Sequence, residues 1–153
     1  MNHTVDFSPE TLRSWLEWAG GKLLALPSPH LKPQKPRALW PDYMQNPYEV
    51  THFRPKESFP LHVAAPTAEE IPFMDRILIL PNLCPDQRFR RIIHSRSLVY
   101  PFNGRYLYTW VRLANILHVS NATVKTWHKK GLLSVCRKIS AEELREIGEF
   151  MER

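Results

Sequence analysis

Cysteine is scarce: Cys84 and Cys136 are far apart and form no CxxC pair. That argues against a disulfide-framed scaffold or a cysteine-ligated zinc site, and predicts reduced thiols in a cytoplasmic protein. Long apolar runs are missing, so no membrane-spanning helix and no membrane partner are expected. The opening MNHTVDFSPETL lacks the basic start and apolar core of a signal peptide. The few glycines form no phosphate-cradling loop, and the histidines fall at no metal-ligand spacing, so neither cofactor nor metal is expected. Acids are almost absent from 85–138, where Asp86 stands alone. A metal-dependent nuclease would need clustered carboxylates there. No serine, histidine and acid share a recognisable nucleophile setting, so the chain is not expected to be an enzyme.

What is present is positive charge, placed unevenly. Residues 85–138 hold eleven Lys and Arg against that single acid, a segment charge of +10 in a chain of net +6, leaving −4 for the remainder. A local cationic excess of this size is the footprint of a polyanionic partner. Within it lies TWVRLANILHVSNATVKTWHKK (109–130). Val111, Leu113, Ala114 and Leu117 fall at the three-and-four spacing of a helix with one buried stripe. Ser120 can cap a second helix, from about Asn121 to Lys130, that buries Val124 and Trp127 and stops at Gly131 in a left-handed C-cap. Two short helices around a tight turn, with small Ala114 at the crossing, predict a helix-turn-helix over 109–131. His118 occupies the turn position usually held by glycine, which costs strain if its φ is positive. Ser120, Asn121, Lys125, Thr126, Lys129 and Lys130 lie off the buried face, where their donors could reach bases and phosphates in a major groove.

The rest of the chain reads as support. Ser8-Pro9-Glu10 opens an N-terminal helix (1–26) with Leu12, Trp15, Leu16, Ala19, Leu23 and Leu26 on one face, weakened by Gly20-Gly21 and ended by Pro27. Trp15 and Trp18 are expected to pack against the parent domain. Residues 27–66 carry nine of the fourteen prolines together with many large aromatics, which predicts an extended, aromatic-anchored arm wrapping the domain or a partner. A helical domain then fills 67–153. Thr67 to Glu70 form a capping box before a helix burying Ile71, Met74, Ile77 and Leu78. A further helix, from near Pro85 to Leu98, turns Phe89, Ile92 and Ile93 inward, and its Arg88, Arg90, Arg91 and Arg96 are candidates for phosphate contacts. Asn103-Gly104 marks a turn. After Gly131, LLSVCRKIS would make a short wing carrying Arg137 and Lys138 against the DNA backbone. Ser140 to Glu143 cap a last helix with Leu144, Ile147 and Phe150 on one side.

Three resemblances follow from these motifs. NLCPDQRFRRIIHSR (82–96), with its L-x-P-x-x-R start, followed by LANILHVSNATVKTW resembles the last DNA-binding region of bacterial sigma factors, which implies RNA polymerase as a partner. LANILHVSNATVKTWHKKGLLSV with RKISAEEL resembles the winged helix-turn-helix of MerR-type regulators, excisionases and some phage small terminase subunits. The long-range layout is similar to short uncharacterised bacterial and prophage helix-turn-helix proteins: a tryptophan- and leucine-rich helix, prolines, Trp40-Pro41-Asp42-Tyr43, then PTAEEI-x-x-MDR and the helix pair.

The expectation is a mainly α protein: a helix-turn-helix domain, an N-terminal helix and a proline-rich arm. It would bind double-stranded DNA and regulate transcription in a bacterium or prophage, acting with RNA polymerase as a late-gene activator or antiterminator. The rivals are a DNA-packaging or recombination accessory, and an interaction protein without a DNA role. Target sequence and oligomeric state are not legible.

Overall fold

The computed structural model describes residues 7–26, 64–101 and 103–153. The expected proline-rich arm lies outside the described residues apart from 64–66. Among the described residues the fold is mainly helical, with six α-helices and no strand: α1 (Pro9–Ala25), α2 (Glu70–Ile79), α3 (Gln87–Ser97), α4 (Trp110–Leu117), α5 (Asn121–Cys136) and α6 (Ala141–Met151). A 3₁₀ turn, Leu80–Leu83, links α2 to the segment before α3.

Helix starts follow local side-chain chemistry. Ser8 Oγ accepts from the Thr11 amide at 3.2 Å, with Pro9 at the first helical position. Thr67 and Glu70 form the expected reciprocal pair ahead of α2, at 2.8 and 3.3 Å. Asp86 caps α3, Thr109 caps α4, Ser120 caps α5, and Ser140 with Glu143 makes a second capping box at α6.

Two apolar clusters hold these helices. The larger joins Leu12, Trp15, Leu16 and Ala19 of α1 to Met74 and Ile77 of α2, Ile93 of α3, Leu132 and Val135 of α5 and Ile147 of α6. α1 therefore packs into the same core as the helices of 67–153. Trp18 packs edge-on against Phe150 of α6, as a core-facing tryptophan should. Leu23 and Ile71, expected inward, are exposed at the rim. The smaller cluster is Ile92 of α3 with Leu113, Ala114 and Val124, closed by Tyr108, Trp110, Leu117, Val119 and Trp127.

Two expectations about α5 are corrected. The helix does not stop at Gly131 but continues to Cys136, and no wing follows: Arg137 and Lys138 lie in the turn before α6. Gly131 is buried where α5 crosses α3. A Cβ there would stand 2.9 Å from Ile93 Cδ1 and 3.1 Å from Phe89 Cβ. Its missing side chain lets two helices approach rather than letting one end. Among the described residues, strand-like pairing survives only as the isolated antiparallel bridge between Val99 and Tyr106, flanking the Asn103-Gly104 turn.

Candidate nucleic-acid interface

Thr109 Oγ1 accepts from the Arg112 amide at 3.2 Å and starts α4. Leu113 and Ala114 are buried against α5, whereas Val111 points outward at 57 % exposure, against expectation. The stripe is set instead by Trp110, Leu113, Ala114 and Leu117. His118 ends α4 in the left-handed region, φ 55° and ψ 41°, and the Val119 amide closes the turn on Ala114 O at 3.1 Å. Ser120 Oγ accepts from Thr123 N at 3.2 Å, so α5 begins at Asn121 with three residues, 118–120, between it and α4.

Val124 is fully buried on the underside of α5. Asn121, Lys125, Thr126, Lys129 and Lys130 are all exposed, and with Ala122 they form one continuous outward face. Ser120 is exposed too, but its hydroxyl is engaged by Thr123. α1 flanks this face without covering it. A groove of about 380 Å³ runs between them, lined by Glu10 and Arg13 on one side, Lys125, Lys129 and Leu133 on the other, with Trp110 between.

The arginines of α3 divide. Arg88 is exposed, its guanidinium 5.8 Å above the Trp127 ring, which sets it beside the middle of α5. Arg91 is exposed on the same helix, and Arg90 is half-buried with its Nε shut off from solvent. Arg96, expected at the surface as a phosphate contact, is instead buried at 9 % exposure. Its guanidinium lies between the rings of Tyr106 (3.5 Å) and Trp110 (4.0 Å), and Nη1 donates to Tyr108 O at 3.0 Å. Planarity and donor count suit arginine to this sandwich.

That sandwich belongs to a network that fixes the helix pair. Tyr106 Oη donates to Glu17 Oε1 at 2.6 Å, and Arg13 Nε donates to the same oxygen at 3.0 Å, tying α1 to the loop before α4. Burial and the Glu17 carboxylate hold the Tyr106 phenol above its ordinary pKa. Trp110 also meets His128 of α5, edge-on at 5.3 Å. Burial, and then the nearby Arg96 and Arg13 charges, push the His128 pKa down to about 4, so the ring is neutral at physiological pH. Sequence reasoning missed His128. The available signal was its spacing, four residues after Val124 and on the same helical side.

Arg137 and Lys138 are exposed but are not brought together with the outward face near Asn121. Sixteen residues of helix separate Asn121 from Arg137, a rise of roughly 24 Å.

No family model matches this chain, and no curated protein or solved structure matches it either. Among the described residues, no helix is long and apolar enough to cross a membrane.

Proposed function

We propose that α4, the His118 turn and α5 are a helix-turn-helix, and that this chain is a sequence-specific DNA-binding regulator of transcription. In this reading α5 enters the major groove with its N-terminal half. Asn121 and Lys125 face base edges, Lys129 and Lys130 meet phosphates, and Arg88 and Arg91 grip the backbone from α3. The observation that carries the reading is the two-sidedness of α5: Val124 is fully buried while Asn121, Lys125, Thr126, Lys129 and Lys130 are all exposed. An ordinary helical hairpin needs the first half of that pattern but not the second, nor the cationic excess of the segment around it.

The experiment is selection of the full chain against a pool of random duplexes, followed by titration of the enriched site. Enrichment of a defined site is expected, with at least a tenfold loss of affinity when Lys125→Ala and Lys129→Ala are combined. A pool that stays random through the selection, or a variant that binds as tightly as the parent, would overturn the reading.

A further inference from the structure

At the centre of the cationic face of α5 sits a small apolar pair. Ala122 and Thr126 are both exposed and lie four residues apart, hence one above the other on the same side of the helix. The Thr126 hydroxyl donates to Ala122 O at 2.9 Å. Its donor is thus committed to the helix backbone, so what the pair can offer a partner is its two methyl carbons and the acceptor side of the Thr126 oxygen. Asn121 and Lys125 flank the pair on one side and Lys129 and Lys130 follow it.

Two methyl groups offer nothing to a phosphate, which is recognised by charge and donors. They do match the one apolar feature that base edges present in the major groove, the C5-methyl of thymine. An RNA duplex lacks that methyl group, and its deep, narrow major groove does not admit side chains. From the reading of α5 as a groove-entering helix, on which this rests, we infer that Ala122 and Thr126 are specificity-determining residues that select a thymine through its 5-methyl group. Their position between Asn121/Lys125 and Lys129/Lys130 places that thymine between the bases read by hydrogen bonds and the phosphates held beyond them.

The test uses the full chain and the duplex enriched by selection. Each thymine is replaced in turn by deoxyuridine, which removes the methyl group and leaves base pairing intact. At one or two positions the replacement lowers affinity about fourfold, the value of one buried methyl. Thr126→Ser keeps the hydroxyl and removes the methyl. With this variant, or with Ala122→Ser, the parent site binds about fourfold more weakly and deoxyuridine at the sensitive position has no further effect. A site indifferent to every thymine replacement, or a deoxyuridine effect undiminished in both variants, overturns the inference and leaves groove entry standing. Failure to enrich any duplex removes both.

Discussion

Arg91 and Arg96 are five residues apart on one helix, yet one faces solvent and the other is stacked between two aromatic rings. Composition cannot distinguish them, because the partners of Arg96 come from residues 106–110, the end of the loop and the start of α4. The difference is measurable. Arg96→Lys keeps the charge but loses the planar stack and the fork that reaches Tyr108 O, and stability should fall by about 1–2 kcal/mol. A shift of the urea midpoint at constant slope would show it, and the salt dependence of DNA binding should not change. His128 makes a second prediction at this scale. Its folded pKa of about 4 lies below the ordinary value of 6.5. Between those values the unfolded chain takes up a proton that the folded chain refuses. Stability contributed by the neutral ring is therefore complete above pH 6.5 and lost as pH falls through 4, a change on the order of 3 kcal/mol. His94 is shifted down as well, mainly by burial and then by Arg90, and adds to the same trend. The specific measurement is the difference between wild type and His128→Gln. The variant should show a shallower loss of stability from pH 7 to 4, and profiles that run parallel would refute the assignment.

At the level of elements, the helix starts were legible and the end of α5 was not. Ser8, Thr67, Ser120 and Ser140 announce their helices because the capping bond is local, completed within three residues. Gly131 misleads because glycine serves both at a helix end and at a helix crossing, and only tertiary packing says which. The same ambiguity attends Gly20, read from sequence as a weak point in α1. A Cβ at Gly20 would lie 1.9 Å from Ser97 O, on the backbone at the end of α3. Neither carbonyl nor helix can yield by that amount without separating α1 from α3. Gly20→Ala should therefore cost about 3 kcal/mol or more, or prevent folding. Gly148 supplies the contrast. It lies within α6 with nothing within 4 Å of an added Cβ. There alanine only removes unfolded-state freedom and improves helix propensity, so Gly148→Ala should gain about 0.5–1 kcal/mol. Thermal or urea unfolding of the pair should give opposite signs. Like signs would mean that propensity, and not the α1–α3 approach, governs Gly20.

Across the whole molecule, the stripe of α1 reads the same whether it packs on its own chain or on a partner, so its place in the common core was not legible beyond the expectation that its tryptophans pack inward. What the sequence did carry was the separation of charge, and the helices give that separation a direction. The exposed cations Lys125, Lys129 and Lys130 share the outward side of α5, with Arg88 over Trp127 of the same helix, whereas Arg137 and Lys138 lie past its C-terminal end. A wing would have folded that far end back toward the outward face, but the continuous helix to Cys136 removes this route. If α5 enters the groove with its N-terminal half, only the near cations displace counterions. Each phosphate contact contributes about 0.9 to the slope of log affinity against log salt concentration. Lys129→Ala with Lys130→Ala should thus reduce the slope by roughly 2, and the loss should be similar for every duplex sequence. Arg137→Ala with Lys138→Ala, which removes the same charge, should leave the slope within error of the parent. Titrations of one duplex across about 50–200 mM salt separate the two outcomes. An equal drop for the distal pair would mean that the helix lies along the backbone for its whole length, and the end-on geometry would have to be given up.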